Sequence, residues 1–228
     1  MRFICRILFP IRNYYLSLQI VRKYKDIMSR TSGEATKKNL IFQSFVLFST
    51  HPYSKVTFSD IEKATGLSRG AVLYHFKSKQ EIFNAVVESS LLNRTVFLDI
   101  PIKDYNPLEN FILDLIDICK ATIKEMAKSG IDNINRAHYT IESQALHFYD
   151  QFDKLARQMR STELKIWAQV IKKAQDLNEI KTGLDCDILG QLFLNIYYGH
   201  AYAATKDEKG CDVDALLKEM LLLRQICI

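Results

Sequence analysis

Between Thr57 and Glu81 the chain reads TFSDIEKATGLSRGAVLYHFKSKQE, and this stretch limits the fold more than any other. Its apolar residues Ile61, Ala64, Leu67, Val72 and Phe76 fit no single continuous helix. They fit two short helices broken at Gly66, where a residue that takes positive φ without steric cost permits a sharp turn. Thr57 and Asp60 have the spacing of a capping box for the first helix, with Asp in place of the usual Glu or Gln. Ser68 can cap the second helix, and Ser78 with Glu81 matches a regular box opening a third. Ala64 is small where the two helices are expected to cross. This is the pattern of a DNA-binding helix-turn-helix, whose second helix enters the major groove.

The remaining chain supplies helices for that pair to pack on. With 228 residues there is length for one small and one medium domain, and only 8 Gly and 4 Pro favour an all-helical fold. Leu40, Ile41, Phe45 and Phe48 recur at helical spacing between Thr36 and Thr50, after which His51-Pro52 ends the helix. Another helix is expected from about Lys79 to Asn93, with Ile82, Phe83, Val86 and Val87 inward. These four helices define an N-terminal domain over residues 28–95. A loop containing Pro101 and Pro107 follows. A second helical domain is expected over 105–228, with helices near 108–128, 133–149, 152–178, 185–205 and 212–226 and stops at Gly130, Gly183 and Gly210.

Charge divides the chain in the same way. Residues 1–28 carry +5, residues 29–92 carry +3 and residues 93–228 carry −3, so the basic front is the part suited to a polyanion. The five cysteines (Cys5, Cys119, Cys186, Cys211, Cys227) are scattered and form no CxxC pair. That disfavours disulfide scaffolds and metal clusters and makes a reducing cytoplasm the natural compartment. Residues 1–27 mix apolar and basic residues, with uncharged runs too short for stable insertion across a bilayer. They read as an N-terminal extension, untranslated if Met28 is the start; a basic segment of this kind can also lie on a membrane surface.

The run Gly66-Leu67-Ser68-Arg69-Gly70-Ala71-Val72-Leu73-Tyr74-His75-Phe76-Lys77-Ser78-Lys79 resembles the signature of the tetracycline-repressor (TetR) family, typically G-V-S-x-G-T-L-Y-Y-H-F-x-S-K. Ala71 stands where Thr is usual, and Leu73 where the first of two aromatics is usual. The resemblance implies an all-α protein with an N-terminal helix-turn-helix domain and a C-terminal helical domain for ligand binding and dimerisation. It implies a sequence-specific transcriptional regulator, most often a ligand-responsive repressor acting as a homodimer. Its partners would be a double-stranded DNA operator, a second copy of itself and a small-molecule effector of unknown identity, with no cofactor.

Arg69 is placed to meet a guanine edge, Gly70 permits close backbone approach, and the Ala71 methyl can meet a thymine methyl. Tyr74 and His75 resemble family positions that bond phosphates. Thr57 offers a hydroxyl and a helix N-terminus, and Ser59, Ser68 and Lys79 complete the expected DNA-binding set. No GxSxG, HExxH, P-loop or GxGxxG occurs, so no enzyme is expected. His138 and His147, with Glu142 between them, read as surface or core residues before a metal site, and no metal or catalytic residue is assigned. Trp167, Tyr139, Phe148, Phe193 and Tyr198 are aromatic candidates for an effector pocket and equally for core.

The homodimer is expected to form through residues 185–226. Ile188, Leu189, Leu192, Phe193, Ile196 and Tyr197 make one stripe, and Val213, Leu216, Leu217, Met220, Leu221 and Ile226 another. Gly199 and Ala203 would let helices approach closely. The alternatives are a helical DNA-binding protein of another class, or a helical protein held at a membrane surface by its N-terminal segment.

Overall fold

The computed structural model describes residues 32–92 and 96–228. The expectations for residues 1–27, and for Met28 as the start, lie outside these residues. Among the described residues there are nine α-helices and no strand. The front of the molecule holds α1 (Ser32–Thr50), α2 (Phe58–Thr65), α3 (Arg69–His75) and α4 (Lys79–Val87). A π-helical turn (Glu88–Leu92) continues α4, and a 3-10 turn covers Val96–Asp99. The rear holds α5 (Pro107–Lys128), α6 (Ile134–Phe148), α7 (Phe152–Asp176), α8 (Cys186–Ala203) and α9 (Val213–Ile226). Each rear helix lies within two or three residues of its expected bounds, because its apolar period is unbroken.

Two hydrophobic cores organise these helices. Leu40, Phe48, Ile61, Val72 and Phe83 bury the facing sides of α1 to α4. Phe97, Phe111, Trp167, Phe193 and Met220 close the second core between α5, α7, α8 and α9. α6 serves the first core, although it follows α5 in the chain: Ile134, Ala137, Ile141 and Ala145 pack with the front helices. The sequence pattern shows that α6 has an apolar face but not which core that face meets.

The rear core centres on Trp167 and Phe193, whose rings stack at 5.0 Å and 4°. Gly190 lies at this contact. A Cβ there would stand 3.2 Å from Trp167 Cβ, so a side chain at this position requires α7 and α8 to give by a few tenths of an ångström. Truncating an aromatic in such a core costs about 3–5 kcal/mol.

Several expectations change on contact with the structure. Pro107 begins α5 instead of sitting in the loop, as suits a residue with fixed φ and no N–H to lose. Asn106 gives α5 no side-chain cap; Glu179 does so from across the fold, accepting the Leu108 and Glu109 N–H groups at 2.8 Å each. Arg224 on α9 then pairs with both Glu179 (2.8 Å) and Glu109 (3.1 Å). Ala64 is exposed and does not form the helix crossing; Ile61 is the buried residue of α2. Leu177 lies past the end of α7 and is exposed.

The expected dimer stripes also divide. Leu189, Phe193, Val213, Leu216 and Met220 are core, and Leu217 and Leu221 pack against it. The large aliphatic residues that remain exposed on these helices are Ile188 and Leu192 on α8 and Leu222 and Ile226 on α9. Gly199 and Ala203 are exposed on α8 as well. His200 Nε2 meets Glu219 Oε2 at 3.0 Å, tying α8 to α9.

Candidate nucleic-acid interface and effector cavity

Local capping builds the helix-turn-helix. Thr57 Oγ1 accepts from the Asp60 N–H (3.3 Å) while Asp60 Oδ2 accepts from the Thr57 N–H (2.9 Å), closing the expected box. The Thr57 hydroxyl also donates to Asp60 Oδ2 at 2.7 Å, and this bond holds the Asp60 carboxyl below its usual range. Gly66 ends α2 at φ 69°, in the left-handed region, and its N–H returns to Glu62 O. Ser68 Oγ accepts from the Ala71 N–H and starts α3. At α4, Ser78 Oγ accepts from the Glu81 N–H as expected, but the Glu81 carboxylate reaches one residue further back, to the Lys77 N–H (2.7 Å).

Val72 and Phe76 turn inward and fix the rotation of α3. Ser68, Arg69, Gly70 and Tyr74 are consequently exposed, with Ala71 and His75 at the edges. Tyr74 is 77% exposed, unusual for a ring of that size, and meets His75 edge-on at 5.1 Å. The Arg69 guanidinium lies 5.5 Å over the Phe58 ring, which orients it without burying it. Thr57 and Ser59 are exposed at the start of α2.

Lys79 is placed differently from the others. Its ammonium donates to Tyr53 O (2.8 Å) and Val56 O (2.9 Å) and lies 4.2 Å over the Tyr53 ring. Two of its three donors are therefore spent on fixing the α1–α2 connection. Lys77, not singled out in the sequence, is the exposed cation beside Tyr74 and His75; its Nζ donates to Leu73 O at the end of α3.

A cavity of about 350 Å³ opens in the rear. Its walls come from the π turn after α4, the 3-10 turn, all five rear helices and the α8–α9 connection. Of the aromatic candidates, Tyr139 and Tyr198 line it. Trp167 and Phe193 are core instead, and Phe148 stacks on Tyr53 at 4.5 Å. Tyr197, Tyr202 and Glu163 line it too, and periodicity alone could not have selected them. His138 faces the cavity and tilts against Phe45, whereas His147 is exposed beside Phe148. Burial pushes the Cys211 thiol in the cavity wall up to about 11, so it stays protonated and unreactive at neutral pH.

α6 faces both regions. His138, Tyr139 and Glu142 line the cavity, while Gln144 Nε2 donates to Phe48 O (2.8 Å) and Gln144 Oε1 accepts from the Tyr53 N–H. From the front, Gln80 Nε2 donates to Phe148 O at the end of α6. Ser90 and Leu91, in the turn that continues α4, reach the same cavity.

These features define a helix-turn-helix DNA-binding regulator with a helical rear domain. Residues 41–86 match the profile of a family described as bacterial regulatory proteins, tetR family. Along most of its length the chain is similar to the HTH-type transcriptional repressor BepR of Brucella suis biovar 1 (strain 1330), at 23% identity over 82% of this chain and 89% of that one. The probable acrEF/envCD operon repressor of Escherichia coli (strain K12) is 40% identical, over 24% of this chain and 26% of its own. In three dimensions the chain superposes on SmeT in its triclosan complex with TM-score 0.60 and 18% identity, over 82% of this chain and 90% of that one. Residues 41–86 carry the tetR-family domain, and along most of its length the chain is similar to TetR-family repressors. No helix among the described residues is long and apolar enough to cross a membrane.

Proposed function

We propose that this chain is a ligand-responsive repressor that binds operator DNA as a homodimer in the cytoplasm. Residues 28–95 are its DNA-binding domain and residues 105–228 its regulatory and dimerisation domain. In this reading Arg69, Gly70 and Ala71 face base edges, while Thr57, Ser59, Ser68, Tyr74 and His75 meet the backbone. Lys79 acts by positioning, holding the α1–α2 connection against α4. The observation that carries the reading is the exposed row Arg69, Gly70 and Tyr74 on a helix whose rotation Val72 fixes.

Dimerisation is supported by Ile188, Leu192, Leu222 and Ile226, which leave an apolar face on the last two helices. A two-fold axis there would present two copies of α3, as half-sites about 34–36 Å apart require. The response to ligand is supported by α6 and the π turn, each of which has residues in the cavity wall and contacts to the front helices. An effector that binds the DNA-competent and DNA-incompetent arrangements unequally would shift the population between them.

Selection of binding sites from genomic fragments tests the reading. A recurring two-fold symmetric sequence is expected, bound by a dimer in sedimentation. Equal affinity for the selected sequence and its scrambled version would overturn it.

A further inference from the structure

We propose that Lys37 on α1 and Lys77 in the α3–α4 turn form a phosphate clamp at one edge of the recognition helix, taking the part that the sequence pattern gives to Lys79. This rests on the DNA-binding reading above and adds two contacts to it. The family-like run leaves the position of Lys77 open, and Lys37 lies outside that run. The first observation is the state of Lys79. Its ammonium is half-buried, bonded to the carbonyls of Tyr53 and Val56 and seated over the Tyr53 ring. A phosphate would have to compete with all three for that charge.

The second observation is how Lys77 is held. It is exposed, and its backbone is fixed because the Glu81 carboxylate accepts its N–H at 2.7 Å. Its Nζ donates to Leu73 O at 2.9 Å, which folds the side chain back along the last turn of α3. That bond uses one N–H of three. The ammonium therefore stands at the same end of α3 as the exposed Tyr74 phenol and the His75 ring. Bases are read from the N-terminal end of a recognition helix, so a cation at its C-terminal end meets the backbone.

The third observation brings a second cation to that end from another helix. Lys37 is exposed on α1, and its Nζ lies 5.2 Å over the ring of Phe76, the residue between His75 and Lys77. The ring sets where the charge sits without neutralising it. Lys38, the neighbouring cation on α1, is turned instead to Glu34 at 3.0 Å, which cancels its charge. Two lysines already held in place, one by a carbonyl and one by a ring, lose less side-chain freedom when a phosphate arrives. A bare helix cap would explain Lys77 alone. It would not explain why Lys37 is held beside the same turn.

The salt dependence of DNA binding by the full chain, measured from about 50 to 200 mM, tests this directly. Each neutralised phosphate adds about 0.9 to the slope of log affinity against log salt, so Lys37→Gln and Lys77→Gln should each lower it by about 1.8 in a dimer. Glutamine keeps an N–H for Leu73 O, so a lost cap is not what the slope reads. Lys77→Arg keeps the charge and should keep the slope. Lys79→Gln should lower the thermal midpoint and leave the slope unchanged. Unchanged slopes in both Lys37→Gln and Lys77→Gln, or a slope lowered by Lys79→Gln alone, would overturn the proposal. Scrambled DNA separates it from the wider reading, because counterion release needs no particular sequence. Lowered slopes on scrambled DNA, with no preference for any selected site, would sustain the clamp and refute the regulator. Intact site preference with unchanged slopes would refute the clamp and leave the regulator standing.

Discussion

The front and rear of this molecule are held together at different sequence distances. In the front, α2, α3 and α4 are each capped within three residues: Thr57 with Asp60, Ser68 with the Ala71 N–H, Ser78 with the Glu81 N–H. In the rear Asn133, Asp185 and Asp212 cap α6, α8 and α9 locally, and remote ties are added to these caps. Glu179 caps α5 from about seventy residues away, and Asn133 donates to the carbonyls of Ala204 and Asp207 at 2.7 Å each. A surface that must present side chains in fixed register gains from local caps, which set each helix before tertiary packing. A cavity needs walls from distant parts of the chain, so remote ties must hold it open.

The largest expected effect concerns the outer face of the rear. Leu192→Glu with Leu222→Glu places charges on two exposed residues and leaves the Trp167–Phe193 core untouched. The variant should stay folded by circular dichroism and sediment as a monomer. Losing the second DNA-binding head should reduce operator affinity by a factor on the order of 10²–10⁴. A monomeric variant with unchanged operator affinity would show that one front domain suffices.

The next prediction sets a remote tie against a local cap. Glu179→Ala leaves the Arg224 guanidinium half-buried without its nearer carboxylate and two helix N–H groups without an acceptor. The loss should be about 3–5 kcal/mol by urea unfolding. Ser78→Ala removes one exposed cap and should cost about 1 kcal/mol. Equal losses would erase the distinction between the two regions.

The same distinction decided what was legible in the sequence. The helix-turn-helix was readable because its signals are short-range: a glycine between two caps, with Val72 and Phe76 four residues apart. The rear helices were readable as helices because Ile166, Val170 and Ala174 keep a four-residue period. Which residues would line a cavity was not readable. Tyr198 lines it while Trp167, equally aromatic and also in the rear domain, is sealed in the core. Side-chain direction there depends on how α7 crosses α8, where Gly190 allows close approach. Lys79 illustrates the limit in the front as well. Its place in the family-like run pointed to DNA, and only the fold shows its ammonium bonded to Tyr53 and Val56.

Smaller still are the changes within the front surface, and here the kind of effect matters more than its size. Arg69→Ala should cost about 1–3 kcal/mol in discrimination and relax sequence preference at one base pair. Tyr74→Ala should weaken binding to cognate and scrambled DNA alike, and Lys79→Ala should lower the thermal midpoint of unfolding as well. Competition titrations against both DNAs measure all three. If Tyr74→Ala alters sequence preference as Arg69→Ala does, the division between base-facing and backbone-facing residues is wrong.

The smallest expected effect is the pH dependence of a single cap. Thr57 donates a side-chain hydrogen bond to Asp60, and its backbone N–H donates a second, so the folded carboxyl titrates below its unfolded value. A depressed carboxyl contributes stability that is fully present above the unfolded value, about 3.9, and is lost as pH falls through the folded value. The window therefore lies below about pH 5, and neutral pH lies outside it. Thr57→Ala removes the hydroxyl from the box and should cost about 0.5–2 kcal/mol at neutral pH. Toward acid the cost should shrink, because protonated Asp60 no longer rewards the bond in the unsubstituted protein. Urea midpoints at pH 7, 5, 4 and 3 for both proteins should accordingly converge. Parallel curves across that range would mean that Asp60 titrates normally and that Thr57 stabilises α2 as a simple N-cap.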